Sequence, residues 1–157
     1  MKRHDSLIDL SRDHHEGLLL AMRLQQGKKS LLHLWSHDPR WQAEYVVKFF
    51  DDHLAPHFEA EEKVLFPTAE SYLKDLLPMV HRLIEEHARM RSFVVYFRRP
   101  DEKMLETNLD QFGKLLEEHI RYEEREFFPK CEASIPIDVL IDIKKDIEQY
   151  RPQRDKQ

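Results

Sequence analysis

The amino-acid sequence predicts an all-α chain, an up-down-up-down four-helix bundle with a short C-terminal helix. Three observations carry that prediction. Glycine occurs only 3 times and proline 8 times in 157 residues, and helix formers such as Leu, Glu, Lys, Arg, Met and Ala fill much of the rest. Apolar residues recur at spacings of three and four through four long stretches, the period of a single helix face. The connections between those stretches are short or moderate, which suits antiparallel neighbours. The length fits one domain on the rule of about 150 residues per domain. That domain spans 1–157, with a bundle core over about 6–130 and an accessory helix over about 136–151.

Ser6 with Asp9 three residues on resembles a capping box, and Gly27 stands where a helix should stop. Between them Leu7, Leu10, His14, Gly17, Ala21 and Leu24 form one stripe. Residues 28–37 read as a connection with a short helical turn at Leu31 to Trp35. Asp38-Pro39 then supplies an N-cap with proline at the first helical position. The second helix should run to about Val64, with Val47, Phe50, Leu54, His57, Glu61 and Val64 inward and a kink at Pro56. Phe66-Pro67 should end that segment, followed by a partly helical connection over 68–77.

Pro78 opens a third helix to about Arg99, with Val80, Ile84, His87, Arg91 and Val94 near one face. Pro100-Asp101 starts the fourth, whose inner stripe is Leu105, Leu109, Phe112, Leu116, His119 and Glu123, closing at Phe128-Pro129. A shorter helix from about Ile137 to Tyr150 should pack outside, with a frayed end from Arg151.

A net charge of −5, from 25 Lys+Arg against 30 Asp+Glu, argues against a general nucleic-acid binder, which would carry a basic patch. The single cysteine, Cys131, cannot form an internal disulfide, which suits a reducing compartment. Charges interrupt the first residues, leaving no secretory apolar stretch, and no apolar run approaches membrane-spanning length. The expectation is a cytoplasmic protein without nucleic-acid or membrane partners. Its oligomeric state is open, with Trp35 and Trp41 the first places to seek an interface.

The chemistry sits in a repeat. His57-Phe58-Glu59-Ala60-Glu61-Glu62-Lys63-Val64-Leu65-Phe66-Pro67 matches His119-Ile120-Arg121-Tyr122-Glu123-Glu124-Arg125-Glu126-Phe127-Phe128-Pro129 as H-x-x-x-E-E-x-x-x-F-P. Upstream, Leu10 to His14 and Leu83 to His87 share L-x-x-[DE]-H. The chain is thus two helix pairs, each with a lone His and a His-x-x-x-Glu. At about 100° per residue, positions four apart lie within about 40° of each other. His57 therefore shares a face with Glu61, and His119 with Glu123. Glu62 and Glu124 should swing away and, with Glu59, form a solvated acidic face. His4, His33, His37 and His81 read as surface residues.

Four inward histidines and two inward carboxylates would be costly on apolar stripes unless they paired, and sharing metal satisfies all of them. Imidazole with carboxylate suits iron, zinc, copper or nickel, and the lack of thiolates disfavours iron–sulfur and structural zinc sites. Six ligands are too many for one tetrahedral zinc and suit two ions bridged by the carboxylates.

These motifs resemble the hemerythrin-like, HHE cation-binding family, over roughly residues 7–130. The resemblance implies a non-heme di-iron centre held by His14, His57, Glu61, His87, His119 and Glu123, with Glu61 and Glu123 as bridges. Zinc or another divalent metal is an alternative occupant. Oxygen-carrying members have a fifth histidine one turn from the third-helix ligand. Leu83 and Arg91 stand at those places here. His53, one turn before His57, is a secondary candidate, and His15 competes with His14. The implied function is binding of oxygen, nitric oxide or peroxide for storage, delivery or sensing, with an open coordination position. The alternatives are a di-iron oxidase, peroxidase or iron-centre repair protein, and a metal-free helical interaction module.

Overall fold

A computed structural model describes residues 2–25 and 35–151. The expected connection over 28–37, its turn at Leu31, the Gly27 stop and His33 lie largely or wholly outside those residues. Among the described residues the chain is helical, without strands, and forms five rods. α1 is Asp5–Leu24, and its N-cap is His4, whose ring nitrogen accepts from the Ser6 backbone at 3.1 Å. This replaces the expected capping box on Ser6, which lies inside the first turn and is buried.

The second rod runs further than its prolines suggest. α2 (Pro39–Phe49), α3 (Ala55–Ala60) and α4 (Phe66–Tyr72) are joined by π turns at Phe50–Leu54 and Glu61–Leu65. Each π turn ends with a backbone N–H bonded five residues back: Ala55 to Phe50 and Phe66 to Glu61. Pro56 and Pro67 follow directly, at the first turn of a new α segment, where the missing N–H breaks nothing. Phe66-Pro67 therefore continues the rod instead of ending it.

A 3₁₀ turn, Lys74–Leu76, leads into α5 (Leu77–Arg98). Its buried stripe is Val80, Leu83, His87, Met90 and Val94, whereas Ile84 is exposed and Arg91 half-buried. The 3-4-3-4 spacing through His87 selects Leu83 and Met90 over those two. The fourth rod begins later and ends later than expected. α6 (Leu105–Tyr122) passes through a π turn, Glu123–Phe127, into α7 (Phe128–Ser134). The same proline device recurs, with Phe128 bonded back to Glu123 ahead of Pro129.

α8 (Ile137–Glu148) is no mere outer attachment: it packs on α1 and on the Glu61–Leu65 turn and buries Leu140, Ile143 and Ile147. No described helix is long and apolar enough to cross a membrane.

Two apolar clusters lie on either side of the histidines. One contains Leu20, Phe58, Met90, Phe112, Leu116 and Ile120, and the other Leu7, Leu10, Leu65, Leu83, Phe127 and the free Cys131. Along α1 the chain leaves one cluster at Leu10 and enters the other by Leu20, with His14 between. Leu83, His87 and Met90 repeat that order on α5. The polar side chains are thus held where two dry regions meet, the environment in which an electrostatic contact is strongest. Trp35 is buried and Trp41 half-buried, and their rings pack edge to face at 5.1 Å. Neither ring stands exposed, as a residue at an interface would.

Candidate metal centre

His14, His57, Glu61, His87, His119 and Glu123 converge from α1, α3, the first residue of a π turn, α5, α6 and the first residue of another π turn. Each is at most 4% exposed. Their inward atoms interleave. Glu123 sets one oxygen 3.1 Å from His14 Nε2 and the other 2.9 Å from His119 Nε2. Glu61 Oε1 lies 3.2 Å from His57 Nε2 and 3.4 Å from His87 Nε2, and the Nε2 atoms of His87 and His119 are 3.2 Å apart. The ligand atoms fall into two groups, Glu61 with His87, His119 and Glu123, and His14 with His57 and Glu123. Glu123 belongs to both.

The cluster fits a cation. Both oxygens of Glu61 and of Glu123, and the Nε2 atoms of His14 and His57, are buried without a hydrogen-bond partner. Orphaned polar atoms in a dry site are costly, and here they all point to one place. The donors are imidazole nitrogen and carboxylate oxygen, a set that suits iron, zinc, copper or nickel.

Every inward imidazole is held from behind. His14 Nδ1 pairs with Glu124 at 2.6 Å, His57 Nδ1 with Asp13 at 2.9 Å, His87 Nδ1 with Glu62 at 2.7 Å, and His119 Nδ1 with Glu86 at 2.9 Å. A carboxylate behind a ligating histidine fixes ring orientation and raises basicity. Glu62 and Glu124 thus overturn the expectation of a solvated acidic face, which holds only for the exposed Glu59. Both are about three-quarters buried in their side chains. The π turns starting at Glu61 and Glu123 rotate less per residue than an α-helix, and a glutamate is long enough to reach sideways to the neighbouring rod.

The repeat had held this signal. The acidic residue before each lone histidine (Asp13, Glu86) and the second Glu of each E-E pair (Glu62, Glu124) are its shared letters. The F-P phenylalanines also have a place: Phe128 stacks on His14 at 5.5 Å and Phe66 on His87 at 5.6 Å.

The two secondary candidates lie outside the cluster. His15 is exposed on α1. His53 is half-buried, packs on Phe49 at 4.9 Å and lines a cavity of about 510 Å³ with Asp13, His57 and Arg151. His37 and His81 are exposed, as expected, and His4 is the half-buried cap of α1. Arg151 is not frayed: its guanidinium grips Asp13 at 2.7 and 3.0 Å.

Electrostatics follow the geometry. Burial opposes charge on His57, but Glu61 and Asp13 outweigh it and raise its pKa to about 10. Burial likewise opposes charge on His119, and Glu123 and Glu86 raise it to about 9. His14 is raised against burial by Glu123 and Glu124. Burial alone would raise Asp13, yet His57 and Arg151 lower it to about 2. Glu123 would also rise on burial and is held well below its ordinary value by His119 and His14. Without a metal, protons on the imidazoles supply the positive charge these carboxylates require.

Among curated proteins the chain is similar to a DNA nickase of Nostoc sp. (strain PCC 7120 / SAG 25.82 / UTEX 2576), 27% identical over 118 residues. The match covers 74% of this chain and 30% of that protein, so the chain spans under a third of the relative's length. No solved structure matches it. The hemerythrin HHE cation-binding domain model matches residues 6–131, the segment that contains all six convergent side chains. The chain belongs to the hemerythrin HHE cation-binding domain family.

Proposed function

We propose that this chain is a non-heme di-iron protein that binds oxygen or a related small ligand, nitric oxide or peroxide, for storage, delivery or sensing. The carrying observation is the set of six buried, inward ligand atoms without hydrogen-bond partners, shared between two groups by Glu123. His14 and His57 would hold one ion, His87 and His119 the other, with Glu61 and Glu123 between them. On this proposal 1–157 is one domain, in which four ligand-bearing rods form an up-down-up-down bundle buttressed by α8. Iron supplies electron exchange with oxygen-derived ligands when bound, and zinc or another divalent ion would suit the same donors. The protein's part is to hold the imidazoles by their Nδ1 atoms, to bridge with carboxylates and to exclude water between two apolar clusters.

A void of about 10 Å³ touches His14, His57 and His119, about the size at which a cavity begins to hold one water. The test is metal content together with the visible spectrum, before and after reduction and on return to air. Two irons per chain with bands that return reversibly support binding; absence of metal from a folded chain defeats the proposal.

One observation favours an oxidase or peroxidase as the second reading: the cavity of about 510 Å³ that reaches Asp13 and His57 from outside. Steady turnover of a reductant or peroxide by the iron-loaded chain would select it. A DNA-directed role is not favoured, because a net charge of −5 and a fully buried donor set do not suit a DNA backbone.

A further inference from the structure

Behind each of the four carboxylates that hold an imidazole stands an arginine. Arg3 donates to Glu124 at 2.9 Å, Arg151 to Asp13 at 2.7 and 3.0 Å, Arg91 to Glu62 at 2.9 Å, and Arg82 to Glu86 at 3.2 Å. The cluster is therefore ringed by four Arg–carboxylate–His chains of contact. Their origins differ. Arg82 and Arg91 lie on α5, the rod that carries His87. Arg3 precedes α1 and Arg151 follows α8, so neither belongs to a rod that carries a ligand.

We propose that Arg3 and Arg151 are positioning residues for the His14/His57 half of the site, assembled onto it from outside the ligand-bearing rods. This rests on the metal-binding reading above. Arg151 grips both oxygens of Asp13, and one of these accepts from His57 Nδ1. Arg3 takes one oxygen of Glu124 and leaves the other to His14 Nδ1. A carboxylate clamped in this way cannot rotate off the ring, so the Nε2 lone pair stays aimed inward. Arg3 also bonds the Glu124 carbonyl and pairs with Glu132, and Arg151 is anchored to the Asp9 carbonyl at 3.5 Å. The side chains of Arg3 and Arg151 are 21% and 16% exposed, against 48% and 40% for Arg82 and Arg91. Exposed pairs couple weakly and shielded ones strongly, so the two outside arginines carry the larger effect.

The experiment uses the full chain with Arg3→Ala, Arg151→Ala, Arg151→Lys, Arg82→Ala and Leu140→Ala. In the metal-free protein, long-range ¹H–¹⁵N spectra of the imidazoles report each Nδ1–H bond. Cobalt(II) titration then reads the two equivalents. Arg151→Ala should move the His57 signals and Arg3→Ala those of His14, each weakening one equivalent about tenfold, the low end of losses from outer partners. Arg151→Lys, which keeps the charge and loses the fork, should recover part of that. Arg82→Ala should change either equivalent less than threefold. Leu140→Ala loosens α8 through its apolar face and should lower the melting temperature without moving the His57 signals. Unmoved imidazole signals and unchanged equivalents in Arg3→Ala and Arg151→Ala would overturn the inference. So would a His57 change in Leu140→Ala equal to that in Arg151→Ala, which reduces Arg151 to a dock for the helix. A wild-type chain that takes up no cobalt defeats the metal reading instead, while the imidazole spectra still test the contacts.

Discussion

The His14/His57 and His87/His119 halves of the site share a plan and differ in what supports them. Each has a lone histidine stacked on an F-P phenylalanine and a second histidine one turn before a glutamate. Each imidazole is backed by a carboxylate from a neighbouring rod. Beyond that layer the symmetry ends. The His87 ring lies flat on Phe58 at 3.8 Å, while the position equivalent to Phe58 is Ile120, packed beside Gly17. One half is backed by arginines of α5, the other by arginines from before α1 and after α8. A duplicated motif can thus produce equivalent inner ligands while the surrounding chain makes the two positions unequal.

The largest effect should come from the residue the halves share. Glu123→Ala removes a member of both ligand groups and should abolish both metal equivalents, whereas Glu61→Ala leaves His14, His57 and Glu123 together and should retain one. Metal content of the two purified variants decides this, and equal loss would show that Glu61, through its 3.2 Å approach to His57, bridges as fully as Glu123.

Next come the carboxylates behind the rings. Asp13→Ala and Glu124→Ala should each weaken the His14/His57 equivalent by about 10- to 100-fold, and Glu62→Ala and Glu86→Ala the other by a similar factor. Competition titration with a chelator of known affinity measures all four. No loss in any of them would make these contacts incidental.

Proton binding sharpens the contrast between metal-free and metal-loaded protein. His57 and His119 have folded-state pKa values raised from 6.5 to about 10 and about 9. Their contribution to folding is complete below pH 6.5 and is lost as pH rises through the folded values. Asp13, lowered from 3.8 to about 2, contributes above pH 3.8 and loses that as pH falls through the folded value. The chelator-treated protein should therefore melt highest between about pH 4 and 6.5. Because a metal must displace the imidazole protons, its stabilisation should grow with pH above 6.5. Melting curves with and without metal from pH 5 to 9 test both signs, and a gap that narrows with rising pH contradicts them.

The remaining effects fall on stability alone and concern close packing. A Cβ at Gly113 would meet the Ala21 carbonyl at 2.8 Å and Leu24 Cβ at 3.0 Å, neither of which yields easily. Gly113→Ala should cost about 1–3 kcal/mol. At Gly17 the obstacle is the tip of Ile120, at 2.8 Å. That tip can turn aside, and the gain in helix propensity of up to about 1 kcal/mol offsets much of the strain. Denaturant melts of the two variants should rank them in that order.

Much of this was legible without coordinates. The stripes Leu7 to Leu24 and Leu105 to Glu123 are buried as their spacing requires, because a helix's 3.6-residue period is local geometry. The six convergent side chains were visible in the repeat for the same reason. Helix ends were read less well. Pro67 and Pro129 read as stops, since a sequence does not show that the preceding residues form a π turn that absorbs them.

What the sequence alone determined is which residues face inward on each helix, and that two equivalent sets of donors exist. Both follow from spacing along one rod. Which carboxylate backs which histidine, and which arginine holds that carboxylate, comes from the packing of the rods against one another. Arg3 and Glu124 lie 121 residues apart, and Arg151 and Asp13 138 apart. Contacts at such separations are set by how the rods pack, and spacing within any one helix carries no record of them.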